Sequence, residues 1–251
     1  MSHPSTAAVS VVSEASAAEA TAPSKARTPH LLEYIGVYGF FALCAALSWK
    51  SWTGLELSRA GWLAAAVLLG YVGADFFSGL VHWLFDTWGS PDTPVVGKNF
   101  IIPFRVHHSD PKDITLHGFI ATNGHNCLSC IPVLAAGLLL PTHAEWTPPA
   151  LAFIVSLCMG IFATNQFHKW AHFEQHELGP AIRLLQRMHL VLPPDHHDVH
   201  HTAPYERHYC ITSGWLNVPL NTLGFFRGVE RVITAVTGVQ PRKDDLKDKK
   251  L

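Results

Sequence analysis

The chain has 251 residues, 48% hydrophobic and only 15% charged, and its mean hydropathy is positive at +0.17. That length holds one domain, and the apolar balance exceeds that of a soluble one, so a membrane-embedded domain is expected. Lys+Arg 18 against Asp+Glu 19 leaves a formal net charge of -1, with no basic excess for phosphate-backbone binding, which argues against nucleic acid as a partner.

Residues 1–28 are rich in Ala, Ser, Thr and Pro, carry Glu14 and Glu19, and offer no apolar face that would offset the cost of ordering. They are read as a disordered tail, with neither the apolar core of a signal peptide nor the composition of an organellar transit peptide. The first membrane-length stretch is 31–49, which as a helix at ~1.5 Å per residue covers roughly 28 Å. Glu33 lies near one of its ends. A second runs from 61 to about 85 and contains Asp75, a third from about 127 to 140, and a fourth from about 149 to 164.

Four spans place the loop holding His107 to His125, the histidine-rich region after Thr164 and both termini on one side. That side carries Lys25, Arg27, Lys98, Arg105, Lys112, Lys169, Arg183 and Arg187, while the other has only Lys50 and Arg59. The positive-inside rule makes the histidine face cytoplasmic. Residues 215–236 mix Leu, Phe and Val with Arg227 and Arg231, which suits an interfacial helix without a catalytic role. Residues 241–251 are Lys/Asp-rich and read as a solvated tail. The expected architecture is an all-α, polytopic membrane bundle of about four transmembrane helices over 29–240, capped by a cytoplasmic histidine-rich layer. The Ala-rich, compact chain suits a bacterial inner membrane, with the endoplasmic reticulum as the alternative.

Fourteen of the 17 histidines fall between His82 and His201. Imidazole is the commonest metal side-chain ligand near pH 7, and clusters at helical spacing encircle an ion readily. His168 and His172 are one turn apart after Asn165, so both can point at one atom; His176 continues the stripe with a large drift and is the weaker candidate. His197, His200 and His201 form HxxHH, with His196 the alternative to His197. His107 and His108 are adjacent and diverge by about 100° on a helix, so both serve as ligands only if each takes a different metal or the backbone is irregular. Asp75, Gly79, His82 and Asp86 share a helical stripe leading out of the second span, and an ionisable group as deep as Asp75 either supports the site or bonds a neighbouring helix.

His82, His107, His108, His117, His168, His172, His197, His200 and His201 are too many for one tetrahedral zinc, and two irons fit the number. Nitrogen ligation with open positions is what oxygen activation by non-haem iron needs, which points to oxidation of an unactivated alkyl chain. The five cysteines suggest no disulfide framework, because Cys44, Cys130 and Cys158 sit in or beside apolar runs. Cys127-x2-Cys130 has no second pair and is read as packing.

The blocks SGLVHWLFDTWGSPDTPVVGKNFIIPFRVHHSDPKDITLHGFIATNGHNC, NQFHKWAH, LPPDHHDVHH and HYCITSGWLNVPL closely resemble the lipid desaturase family, over about residues 71–245. The resemblance implies a membrane di-iron enzyme that uses O₂ and two electrons to turn a 1-O-alkyl ether phospholipid into its 1-O-alk-1'-enyl counterpart. By position it assigns the nine histidines named above to the metals and puts Asp86, in an HxxxD box, where most acyl desaturases have histidine, either as ligand or as its support. Asn165 and Asp75 join Asp86 as the polar groups expected beside the chemistry. With no flavin or haem motif, electrons are expected from a separate donor protein, cytochrome b5-like, ferredoxin or flavodoxin. A related branch desaturates an acyl chain of phosphatidylglycerol, so the lipid is not fixed by the irons alone.

Two other classes compete. A membrane zinc hydrolase wants HExxH on a helix, but the one start, His176-Glu177, meets Pro180 at the fifth position, which supplies no ligand and breaks the helix. A metal transporter places ionisable residues deep in several spans, and here only Asp75 is deep.

Overall fold

The computed structural model describes residues 26–242, so the tails expected at 1–28 and 241–251 lie, but for a few residues, outside the described residues. Inside lipid an apolar run can satisfy its backbone only as a helix or a closed barrel, and among the described residues every regular element is helical. In chain order these are α1 (Leu31–Thr53), α2 (Ala60–Thr87), α3 (Ile102–His107), α4 (Asp113–Leu116), α5 (Phe119–Leu138), α6 (Thr147–Ala171), α7 (Pro180–Arg187), α8 (Pro194–Asp198), α9 (Asn217–Thr222) and α10 (Phe225–Thr237). The chain is an all-α bundle, with α6 packed against α1, α2 and α5.

Among the described residues three helices, α1, α2 and α6, are long and apolar enough to cross a membrane. The fourth long helix, α5, has 20 residues but contains Pro132 and opens with polar turns that include Thr122, Asn123 and Asn126. The four expected runs each lie on a long helix, with different ends: α5 starts before Cys127, and α6 runs beyond Thr164 to carry Asn165 and His168. Polar residues join these helices because neighbours satisfy them. Asn126 Nδ2 donates to Ile161 O at 2.8 Å, Asn123 Nδ2 to Gln166 Oε1 at 3.1 Å, and Asn165 Nδ2 to Thr122 O at 3.0 Å.

Between the helices the core is apolar, with Phe40, Leu47, Leu134 and Leu151 fully buried. All five cysteines are free and buried, and Cys44, Cys127, Cys130 and Cys158 belong to that core, in keeping with a packing role. The α2–α6 contact depends on small residues, as close helix approach in a bilayer does. A Cβ added at Gly160 falls 2.4 Å from the Ala74 Cβ. Gly160→Ala is thus expected to lower stability by about 1–3 kcal/mol; an unchanged thermal midpoint in detergent would contradict this packing.

At the start of α1, Arg27 grips the buried Glu33 with Nη1–Oε2 at 2.8 Å and Nη2–Oε1 at 2.5 Å, and Glu33 Oε2 also accepts the His30 N–H at 2.8 Å, closing the helix end. Trp49, Trp52, Trp62 and Trp146 are exposed at the opposite end of the bundle, the usual place of an interfacial aromatic belt. There Arg59 Nη2 meets Glu145 at 2.9 Å, joining the two short loops. On the near side, 88–118 and 172–242 form the cap. The expected interfacial segment 215–236 is two helices, α9 and α10, split around Gly224, with Leu223, Val232 and Val236 exposed.

Candidate metal centre

Five imidazoles converge where α6 leaves the bundle: His107 at the end of α3, His168 on α6, His172 at its C-terminus, His197 on α8 and His201 in the turn after it. His172 Nε2 is 2.9 Å from His107 Nε2, 3.0 Å from His168 Nε2 and 3.0 Å from His197 Nε2, and His201 Nε2 is 3.0 Å from His197 Nε2. Nitrogens about 2.1 Å from a shared ion and at right angles to one another lie about 3.0 Å apart, whereas tetrahedral placement spreads them to about 3.4 Å. All five donor atoms fit within 4.8 Å. The set therefore suits an ion of higher coordination than structural zinc. Burial, reinforced by neighbouring charge, holds the His172 imidazole down to about 4 and that of His201 to about 2, with His107 and His197 also far below the ordinary histidine value. All four are neutral near pH 7, the form that ligates a metal.

A second group joins His82 and Asp86 on α2 to His108 and His200. Asp86 Oδ2 is 3.4 Å from His82 Nε2, 3.1 Å from His108 Nε2 and 3.4 Å from His200 Nε2. His82 Nδ1 donates to Tyr209 O at 3.1 Å and His200 Nδ1 to Arg207 O at 2.8 Å. A carbonyl only accepts, so the proton of each ring sits on Nδ1 and Nε2 presents a bare lone pair. Bare nitrogens facing a carboxylate oxygen repel it unless a cation lies between, and this donor set fits a cation. Both adjacent pairs divide: His107 and His201 turn to the first group, His108 and His200 to the second, so that His200 parts from the His197 and His201 with which it shares the HxxHH motif.

Residues 71–244 match the lipid desaturase domain. The chain belongs to the lipid desaturase family. It is 48% identical over 216 residues to a plasmanylethanolamine desaturase of Myxococcus xanthus, covering 86% of this chain and 75% of the relative. It is also 48% identical over 188 residues to plasmanylethanolamine desaturase 1 of Mus musculus, covering 72% and 68%. The chloroplastic fatty acid desaturase 4 of Arabidopsis thaliana is 36% identical over 180 residues, covering 71% and 54%. No solved structure matches the chain.

In this lipid desaturase, eight of the nine expected histidines enter the two groups, with Asp86 as the ninth member. His117 does not: its Nε2 faces the Asp113 carboxylate at 3.3 Å and its Nδ1 accepts the Arg27 backbone N–H at 3.3 Å, and these partners hold it outside both clusters. Asp75 is buried, belongs to neither group and is bonded to backbone amides. Asn165 stands one turn before His168, tied to α5. His197 is the group member, and His196 instead stacks on His208 with ring centroids 4.4 Å apart. His176 is exposed in the turn after α6.

A cavity of about 270 Å³ opens on both groups at once, walled by His82, His107 and His168 together with Phe104, Asn165 and Ile211. Sequence reasoning gave no individual role to Phe104, Ile211 or the carbonyls of Arg207 and Tyr209. Phe104 and Ile211 lie within blocks already singled out, but a backbone carbonyl has no residue-type signature, so only geometry finds it.

Proposed function

We propose that the protein is a di-iron lipid desaturase that introduces the 1'–2' double bond into a 1-O-alkyl ether phospholipid, turning a plasmanylethanolamine into a plasmenylethanolamine. The observation that carries this is the shared cavity, whose wall offers imidazoles from both clusters beside apolar side chains at the end of the apolar bundle. His107, His168, His172, His197 and His201 would hold one iron, and His82, Asp86, His108 and His200 the other. When bound, the pair supplies the O₂-dependent oxidising chemistry by which one alkyl CH₂–CH₂ unit, O₂, two electrons and two protons become one CH=CH unit and two waters.

The chain's own side chains then set the remaining conditions. Phe104, Ile211 and the neighbouring Pro103 and Val106 give the cavity an apolar wall that grips an alkyl chain and keeps water from the reacting bond. Asn165, anchored through its amide to Thr122 O, fixes the wall one turn below His168. His117 and Asp113 close the cavity toward the cap. The carbonyls of Tyr209 and Arg207 aim two of the imidazoles. Electrons come from a separate protein, cytochrome b5-like, ferredoxin or flavodoxin, approaching from the cytoplasmic side of an inner membrane.

Purified protein supplied with iron, an electron donor and alkyl-ether phospholipid is expected to form an acid-labile vinyl ether and to contain two irons per chain. Absence of the vinyl ether would refute the assignment, and product formed only from phosphatidylglycerol would move it to the acyl-chain branch. One zinc and no iron would restore the hydrolase. Chelation is expected to abolish turnover and lower the thermal midpoint together, because ligands as distant in sequence as His107 and His201, or His82 and His200, are then no longer tied through an ion.

A further inference from the structure

The stripe of α2 that leads to Asp86 is laced to one irregular strap, residues 209–216. Asp75, fully buried, accepts the Ser213 and Gly214 N–H groups on Oδ1 at 2.8 Å each and the Leu216 N–H on Oδ2 at 3.0 Å. One turn on, Ser78 Oγ accepts the Ile211 N–H at 3.0 Å. At Gly79 the strap lies so close that an added Cβ would come within 2.4 Å of Cys210 Sγ. Next along the helix, His82 Nδ1 donates to Tyr209 O at 3.1 Å. The strap thus runs antiparallel to α2, and its last rung is the bond that fixes the His82 tautomer. Asn217 closes the strap on itself, accepting the Cys210 N–H and donating to Cys210 O, both at 2.8 Å.

The strap serves the two clusters unequally. In the second group His82 is aimed by Tyr209 O, and His200 by Arg207 O just upstream at 2.8 Å. In the first group the Nδ1 atoms of His197 and His201 are buried without a hydrogen-bond partner, as is that of His108 in the second, so His82 is the ligand that the strap itself aims. Orientation of His82 is therefore delegated to backbone that Asp75 holds in place with charge-assisted bonds from three amides.

We propose that Asp75 is a positioning residue for the second metal: through the 209–216 strap it sets the Tyr209 carbonyl against His82 and so directs the His82 lone pair into the group with Asp86, His108 and His200. This rests on the reading of the two clusters as iron sites. Asp75→Asn keeps one oxygen for Ser213 and Gly214 but sets an amide NH₂ against the Leu216 N–H. It is expected to weaken iron binding at the second cluster about 10–100-fold, the scale for a partner that orients a ligand, and to leave the first cluster unchanged.

The test is iron per chain after anaerobic equilibrium dialysis against limiting ferrous ion, with helix content checked by circular dichroism. Wild type is expected to hold two irons and Asp75→Asn close to one. Adding His172→Ala to Asp75→Asn should remove the remaining iron, whereas adding His108→Ala should change nothing further. Ser78→Ala, which deletes a single strap bond, should give the same selective loss at smaller amplitude and covers the case in which Asp75→Asn fails to fold. Full occupancy of the second cluster in the folded variants, or equal loss from both clusters, overturns the role of Asp75. Wild type holding fewer than two irons would instead overturn the metal reading itself.

Discussion

Replacing His172 by alanine is expected to abolish vinyl-ether formation and to leave one iron per chain. Its Nε2 is the common neighbour of His107, His168 and His197 at 2.9–3.0 Å, so its loss opens three edges of the first cluster at once. At ~1.36 kcal/mol per decade, a drop of at least about 10³-fold in kcat/KM corresponds to about 4 kcal/mol of lost transition-state stabilisation. His176→Ala, one turn further along the chain and exposed, is the matched control and should behave as wild type. Turnover by His172→Ala within tenfold of wild type would mean that the first cluster does not hold a catalytic metal.

Asp86→Asn is the second large effect. The carboxylate is the only anion in its group, and its Oδ2 lies 3.1–3.4 Å from three imidazole nitrogens. The substitution keeps the shape and removes the charge that balances a divalent ion, so iron at the second cluster and turnover should both fall, turnover by at least about 10³-fold. Asp86→His should recover part of both, since a histidine one turn after His82 again presents a neutral nitrogen to the same point. Iron content and activity of Asp86→Asn equal to wild type would place the carboxylate outside the metal site.

The apolar runs at 31–49 and 61–85 announced α1 and α2 almost to their ends, because those helices meet lipid along much of their length. The ends of α5 and α6 were hidden, because Asn123, Asn126, Asn165 and Gln166 bond within the bundle and hydropathy counts each as a stop. Helical divergence at His107-His108 leaves two readings, a different metal for each or an irregular backbone, and the structure sets the two rings in separate groups. His117 is a candidate because it follows His107 and His108 in the same loop and because the resemblance includes it, but it has no partner at ligand spacing, and its Nε2 faces Asp113 at 3.3 Å. Asp75 was legible as an anomaly but not as an anchor, since the amides it holds are 138 to 141 residues away.

The exposed tryptophans at the far end fix a depth scale for the whole molecule. From Trp62 to His82 is twenty residues of continuous α2, about 30 Å at ~1.5 Å per residue, close to one hydrocarbon thickness. Were the indoles to rest in one headgroup layer, that length would bring the histidines level with the glycerol backbones of the other leaflet. In the proposed reaction a bond adjoining the glycerol would then already wait at working height, and the lipid would travel sideways into the protein rather than climb out of its monolayer.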